Sequence, residues 1–204
     1  MPRGANKKKG RALTESEFFQ FLGYLPTEYV LLARGLWLSG MRISEAITLD
    51  WEEGPVRLHL NGKNTRLCFS VEGQKGRREE RAPVTADFVA FLNDLPRGKG
   101  RVFQAPHNAN TAMKAIGTAM QKAGLYGPSG KRLGAHDLRR SFATRWAPRL
   151  NHIALMALMR HRSLSTTLSY YIDLETADLS EVIWDASVPK IVPKKSVDHN
   201  PPRN

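Results

Sequence analysis

An arginine that closely follows a glycine and opens a short predicted helix is well placed to bind a phosphate group. Arg42 has this position in the segment Gly-Met-Arg-Ile-Ser-Glu, residues 40–45. Backbone N–H groups at a helix start favour an anion, and the guanidinium fork matches the geometry of phosphate oxygens. The alternative interpretation is a surface arginine that forms an ion pair with Glu45, three residues later on the same helix.

A second basic cluster, Gly-Gln-Lys-Gly-Arg-Arg at residues 73–78, lies at the predicted tip of a β-hairpin. A lysine at such a tip can reach a phosphate or protonate a leaving oxygen, which makes Lys75 a candidate acid. Arg77 and Arg78 add positive charge beside it. Lys63, in a Gly-Lys-Asn turn, is the alternative to Lys75, and a solvated hairpin charge is the alternative for the whole cluster.

His136 and Arg139 form a third cluster, because residues three apart on a helix are neighbours on one face. An imidazole that can move a proton, next to a guanidinium, suits phosphoryl chemistry better than metal binding, since the arginine repels a cation. Arg140 follows directly and adds a further positive charge. The sequence has no His-Glu-x-x-His motif here, which argues against zinc protease chemistry.

His161 opens the fourth cluster, which continues through a segment rich in small hydroxyl residues and ends in Tyr170 and Tyr171. A tyrosine is a weak nucleophile at its usual pKa near 10, but arginines and a bound phosphate can activate it. The alternative interpretation is a pair of amphipathic tyrosines that pack at the end of a helix.

The elements that must position these clusters are mostly helical. A capping box at Thr14 and Glu17 opens a first helix, a second spans Thr27 to Ser39 and ends at Gly40, and a short third helix follows Arg42. Three antiparallel strands and further helices come next. The predicted strands are Val56–Leu60, Leu67–Val71 and Arg81–Val84, and the later helices are Thr85–Leu95, Asn110–Ala123, His136–Ala147, Ile153–Met159, Leu164–Tyr171 and Ala177–Trp184. The predicted fold class is α+β and mostly α, with a small three-stranded sheet.

Composition limits the class of protein. The chain has 204 residues, of which 41% are hydrophobic, and a formal net charge of +12. It can therefore bury a core, and it contains no apolar run of the roughly 18 residues that a membrane span needs. Its single cysteine, Cys68, excludes a disulfide framework and a cysteine-based zinc site.

Residues 1–12 are expected to be a basic flexible arm and residues 186–204 a basic, proline-rich tail. Such segments favour a polyanionic partner or act as solubilising tails.

In this order and spacing, the four clusters resemble the catalytic domain of the tyrosine recombinase (phage integrase) family. The family pattern is Gly-x-Arg-x-Ser-Glu, a hairpin lysine, His-x-x-Arg, a Gly-His pair and a tyrosine nine residues later. The corresponding residues are Arg42, Lys75, His136, Arg139, His161 and Tyr170. The resemblance extends from about Leu13 to Leu179, and residues 13–185 are the predicted catalytic domain. Arg160 departs from the pattern, because the family usually has glycine there.

The resemblance implies an enzyme that breaks and rejoins DNA strands. Tyr170, with Tyr171 as the alternative, would attack a phosphate, displace the 5′-hydroxyl and form a 3′-phosphotyrosyl link. Lys75 would protonate the leaving oxygen, and His136 would act as an acid or base. The two arginines and His161 would hold the non-bridging oxygens, so neither a metal ion nor another cofactor is implied.

The implied partner is double-stranded DNA, on which the subunits are expected to assemble as a tetramer, in the cytoplasm at the nucleoid and without a membrane. The residues expected to contact DNA are Lys7, Lys8, Lys9, Arg77, Arg78 and Arg140. Family members usually carry an N-terminal core-binding domain, and the sequence is expected to lack it. Two alternative functions are a type IB topoisomerase-like enzyme, which does not exchange strands, and a non-catalytic DNA-binding or regulatory remnant.

Overall fold

The computed structural model describes residues 10–70, 80–105, 108–161, 163 and 165–168. These residues form helices around one small sheet, which confirms the predicted fold class. The helices are α1 (Glu15–Leu22), α2 (Thr27–Ser39), α3 (Ile43–Ile47), α4 (Ala86–Asn93), α5 (Ala109–Lys122), α6 (Ala135–Trp146) and α7 (His152–Met159). Residues 165–168 are also helical. The predicted helix Ala177–Trp184 lies outside the described residues.

The first two helices have the ends that the sequence predicts. The Thr14 hydroxyl accepts a hydrogen bond from the Glu17 backbone N–H at 3.2 Å, and the Glu17 carboxylate accepts one from the Thr14 N–H at 2.9 Å. Helix α2 ends at Gly40, which has a φ of +62°, and the Gly40 N–H donates to the Leu36 carbonyl. A left-handed residue at this position stops the helix and turns the chain toward Arg42.

The sheet contains the three predicted antiparallel strands and one additional short strand. Its order is β1 (Leu49–Asp50), β2 (Val56–His59), β3 (Arg66–Phe69) and β4 (Glu80–Pro83). Strand β1 pairs parallel to β2, whereas β2, β3 and β4 are antiparallel neighbours. Side chains alternate along each strand, so that one face of the sheet is buried against the helices and the other carries arginines.

Helix α2 lies at the centre of the domain and packs against α3, α4, α5 and α6. Phe18 of α1 stacks on Trp37 of α2 with a centroid distance of 4.3 Å. Leu138 and Phe142 of α6 are four residues apart, so they share one face of the helix, and both are fully buried. In the part of the chain that the structure describes, no helix has the length and apolar character that crossing a membrane requires.

Candidate active site

Arg42 precedes the first residue of α3, and Glu45 holds both its backbone and its side chain. The Glu45 carboxylate accepts a hydrogen bond from the Arg42 N–H at 2.7 Å and another from Nη1 of the guanidinium at 2.9 Å. The Arg42 side chain is nevertheless 51% exposed. The ion pair with Glu45 is therefore present, and because the guanidinium is also partly exposed, phosphate binding by Arg42 stays a prediction.

Arg139 is the second arginine of the site, and it is buried in α6. Its guanidinium donates from Nη1 to the Gly40 carbonyl and from Nη2 to the Met159 carbonyl. These two carbonyls belong to the ends of α2 and α7. The side chain therefore joins three helices at one point, and this fixes its position relative to Arg42, two residues after Gly40.

Candidate residues from the first and third sequence clusters line the same pocket. Arg42, His136 and Arg139 line it together with apolar residues. The apolar residues are Met41, Ile43, Met113 and Ala135. Two guanidinium groups and an exposed imidazole around one pocket form a site that can hold an anion and move a proton.

His161 lies close to this pocket, just after α7. Burial, reinforced by the positive charges of Arg139 and Arg42, lowers the pKa of His161 to about 4. The pKa of His136 is also lowered, because burial of part of the ring and the neighbouring arginines outweigh the attraction of Asp137. Both rings are therefore neutral near pH 7, a state in which each ring has one nitrogen that donates and one that accepts.

Thr167 is part of the site, although the sequence analysis did not single it out. Its fully buried hydroxyl lies 3.0 Å from Nδ1 of His161. When the hydroxyl donates to Nδ1, the ring proton is on Nε2. The only sequence signal for this contact is the hydroxyl-rich composition of the segment after His161, which does not distinguish Thr167 from its neighbours.

Arg160 occupies the position where the family pattern usually has glycine, and it forms part of the same charge cluster. Its guanidinium forms an ion pair with Glu45, and its Cζ lies 4.0 Å from the centre of the Phe69 ring. Burial alone would raise the pKa of Glu45, but Arg160 and the hydrogen bonds from Arg42 hold it below its usual value. Glu45 therefore remains ionised between two arginines.

The remaining predicted residues are placed as follows. Arg140 is mostly buried, with its Nε 4.0 Å from an Asp137 carboxylate oxygen. Lys63 lies in the turn between β2 and β3, where it lines a groove with Arg66 and Arg81 rather than the pocket of Arg42. The predicted residues outside the described part of the chain are Lys7, Lys8, Lys9, Lys75, Arg77, Arg78, Tyr170 and Tyr171.

A mostly helical domain with a small sheet of this kind has the fold of tyrosine recombinase catalytic domains. The model of the phage integrase family matches residues 12–177, so the chain belongs to the phage integrase family. This confirms the resemblance inferred from the motifs. No curated protein is significantly similar to the chain in sequence.

Solved structures with the same fold include recombinases and integrases. XerH site-specific recombinase, bound to a palindromic difH substrate in a post-cleavage complex, has a TM-score of 0.61 and 21% identity over 90% of this chain. The catalytic domain of bacteriophage HP1 integrase has a TM-score of 0.59 and 20% identity over 88% of this chain. A lambda integrase dimer bound to a COC′ core site has a TM-score of 0.62 and 18% identity over 82% of this chain. The chain spans 56% of the XerH chain, 97% of the HP1 domain and 50% of the lambda integrase chain.

Proposed function

We propose that this chain contains the catalytic domain of a site-specific recombinase, which cuts and rejoins double-stranded DNA through a 3′-phosphotyrosyl intermediate. The observation that carries the proposal is the convergence of Arg42, Arg139 and His136 on one pocket, with His161 beside it. This convergence occurs in a member of the phage integrase family. Separate stretches of the chain supply these side chains, so folding brings together four of the six residues that the motif predicts.

The phosphate would lie between the two arginines. Arg139 is fixed by the ends of α2 and α7, and Arg42 is fixed by Glu45, so both donors are oriented before the substrate arrives. Such preorganised donors stabilise the charge that develops on the non-bridging oxygens in the transition state, typically by several kcal/mol. His161 with its proton on Nε2 would add a third donor.

Tyr170 is the proposed nucleophile. Its phenolic oxygen forms a bond to phosphorus while the bond from phosphorus to the 5′-oxygen breaks, which leaves a 3′-phosphotyrosyl link and a free 5′-hydroxyl. The neutral His136 would accept the phenolic proton, and Lys75 would donate a proton to the leaving 5′-oxygen. A 5′-hydroxyl of another strand then reverses these steps. The phosphodiester energy is kept in the link, so rejoining consumes no ATP.

Sheet geometry favours Lys75 over Lys63 as this acid. Strand β3 runs from Arg66 to Phe69, and Phe69 contacts Arg160, which pairs with Glu45 in the site. The chain segment that contains Lys75 leaves β3 after Phe69, at the end of the sheet nearer the pocket. Lys63 precedes β3 and lies at the opposite end.

The proposed partner is double-stranded DNA, and the proposal is supported by the XerH structure bound to a difH substrate and the lambda integrase dimer bound to a COC′ core site. We propose that subunits assemble as a tetramer on two DNA sites and that the protein works at the nucleoid. A tetramer would bring four strand ends into reach of one another, which strand exchange requires and simple relaxation of supercoils does not.

A suicide substrate tests the proposal. A duplex with a nick next to the cleavage site loses its short 5′-hydroxyl fragment after cleavage, so the covalent adduct accumulates and is visible by denaturing electrophoresis. We expect an adduct with the unmodified chain and with Tyr171→Phe, but not with Tyr170→Phe. An adduct that survives Tyr170→Phe but not Tyr171→Phe would move the nucleophile to Tyr171.

Two other outcomes would favour the alternative functions. A gel shift without any adduct would identify a DNA-binding remnant, and relaxation of supercoils without strand exchange would identify a topoisomerase-like enzyme.

A further inference from the structure

We propose that Arg160 is a positioning residue of the phosphate site, which acts on Arg42 through the carboxylate of Glu45. The inference rests on the proposed function for its consequence in catalysis, but the contact on which it is based belongs to the protein without DNA. It concerns a residue at which this chain departs from the family pattern.

The backbone of Arg160 indicates that its side chain has a specific role. Arg160 ends α7 with a φ of +51°, and it is the only non-glycine residue with a positive φ in the described part of the chain. Residues with a side chain rarely adopt this conformation, which glycine adopts without strain. The contacts that the Arg160 side chain makes must therefore offset the strain of its backbone.

The contacts of the side chain are extensive. Only 4% of it is exposed, its guanidinium lies over the Phe69 ring, and Nη2 donates to Oε2 of Glu45. A buried guanidinium is costly unless it is paired and hydrogen-bonded. The partner, Glu45, is 115 residues earlier in the chain. The ion pair therefore joins the end of α7 to the beginning of α3.

Glu45 transmits this contact to Arg42. Its Oε2 accepts from Arg160 and from the Arg42 N–H, and its Oε1 accepts from Nη1 of Arg42. The Arg160 guanidinium fixes Oε2 and with it the plane of the carboxylate. Oε1 therefore holds the Arg42 guanidinium at a defined angle. Without Arg160 the carboxylate would keep only its hydrogen bonds from Arg42 itself, so its plane and the angle of the Arg42 guanidinium would be fixed less tightly.

The pairing also sets the charge available to a phosphate. Arg42 and Glu45 alone form a neutral pair, which attracts an anion weakly. With Arg160 the group carries one net positive charge, because two guanidinium groups share one carboxylate. Arg160 thus lets Arg42 be held by an acid and still attract the phosphate.

Arg160→Met tests this role, because methionine keeps an apolar side chain against Phe69 but has no guanidinium group to pair with Glu45. We expect adduct formation at saturating suicide substrate to slow by about 100-fold, as for a misplaced catalytic group. Duplex affinity should fall only by about fivefold, because the variant loses one positive charge among many phosphate contacts. Arg160→Gly relieves the backbone strain and should behave in the same way, so a folding defect in the methionine variant does not decide the outcome. Arg97→Met, which removes an exposed arginine that donates to Asn93, is the matched control.

A double-variant cycle identifies the route. If Arg160 acts through Glu45, then Arg160→Met slows the reaction in the unmodified chain but has no further effect in a Glu45→Gln background. Equal slowing in both backgrounds, or no slowing in either, would overturn the proposal. The rates of adduct formation are measured on folded protein at saturating DNA. If the role of Arg160 were purely structural, its replacement would change the unfolding midpoint but not these rates.

A measurement without DNA separates this inference from the proposed function. In ¹⁵N-arginine-labelled protein, the Nε–H signal of Arg42, assigned by its loss in Arg42→Lys, should show an ordered side chain. We expect the order to be lost in Arg160→Met and retained in Arg97→Met. An ordered Arg42 in Arg160→Met would refute the inference. An absent adduct in the unmodified chain would instead refute the proposed function.

Discussion

The contact between the Thr167 hydroxyl and Nδ1 of His161 couples the direction of their hydrogen bond to the ring nitrogen that carries the proton. A hydroxyl that donates to Nδ1 leaves the proton on Nε2, where it can donate to a phosphate oxygen. Thr167→Val removes the hydroxyl with little change of volume. We expect adduct formation to slow by about tenfold, which corresponds to about 1.4 kcal/mol of transition-state stabilisation, and Thr167→Ser to restore it. Single-turnover rates on the suicide substrate measure this, and equal rates for the valine and serine variants would contradict it.

The pKa of His161 predicts how stability changes with pH. Because the folded protein lowers this pKa to about 4 from about 6.5, the unfolded chain binds a proton between these values that the folded protein does not. The free energy of unfolding should therefore fall as the pH decreases from 6.5 to 4, by about 1 to 2 kcal/mol from this residue, because solvent screens the half-exposed ring. Urea unfolding at several pH values measures the change. The dependence should be weaker in His161→Gln, and an unchanged dependence would exclude His161 as its source.

Local spacing was sufficient to select the arginines and histidines that the fold brings together at the candidate site. Arg42 follows a helix stop, and His136 and Arg139 are one helical turn apart, so each signal is contained within a few residues. The roles of Thr167 and Arg160 were not predicted. The Arg160 contact joins residues 115 positions apart, and no periodicity or spacing in the sequence encodes such a pair.

Gly40 determines how the end of α2 meets α6. Its φ is +62°, and a Cβ there would lie 2.3 Å from the buried Phe142 ring. Its carbonyl also accepts a hydrogen bond from Arg139. We expect Gly40→Ala to lower the free energy of unfolding by about 3 kcal/mol, from left-handed strain and from overpacking. Urea unfolding measures the loss.

Gly124 provides the matched control for that prediction. It has a φ of +73°, and a Cβ there would meet no atom within 4 Å. Gly124→Ala should therefore cost only the backbone strain, about 1 kcal/mol. Equal losses of unfolding free energy in the two alanine variants would show that the Phe142 ring moves aside at little cost. The close approach at Gly40 would then not contribute to stability.

At the scale of elements, the predictions succeeded where a signal was local and failed for one strand. Capping residues and glycines marked the ends of α1 and α2, and alternation of apolar residues marked β2. Strand β1 is two residues long and pairs parallel to β2, with Leu49 opposite Val56. A segment of two residues has no periodicity from which a strand could be predicted.

On the scale of the whole molecule, the basic arm joins the domain beside the candidate active site. Arg11 pairs with Glu17 at 2.6 Å and donates to the Tyr126 carbonyl. The backbone at Gly10 passes so near Asp137 that a Cβ there would lie 1.8 Å from its carboxylate oxygen. Asp137 is next to His136 in α6, so the lysines that precede Gly10 in the sequence are connected to the protein close to the proposed phosphate site.

This connection predicts a specific contribution of Lys7, Lys8 and Lys9 to DNA binding. The chain carries a net charge of +12, and each lysine that contacts a phosphate releases counterions, which contributes about 0.9 to the slope of log affinity against log salt. Replacing all three with glutamine should reduce that slope by about 2 to 3. Lysines mostly contact phosphates rather than bases, so the loss should be equal on a candidate site and on a scrambled duplex.

Fluorescence anisotropy across a salt series measures the slope, and the tail supplies the control. Replacing Lys190, Lys194 and Lys195 with glutamine removes the same formal charge from the other basic segment. If the arm contacts DNA next to the site, its three substitutions should reduce the slope more than those in the tail, because the slope counts released counterions rather than net charge. Equal reductions would mean that the two segments contribute only through the total charge, and the proposed contact of the arm with DNA would be wrong.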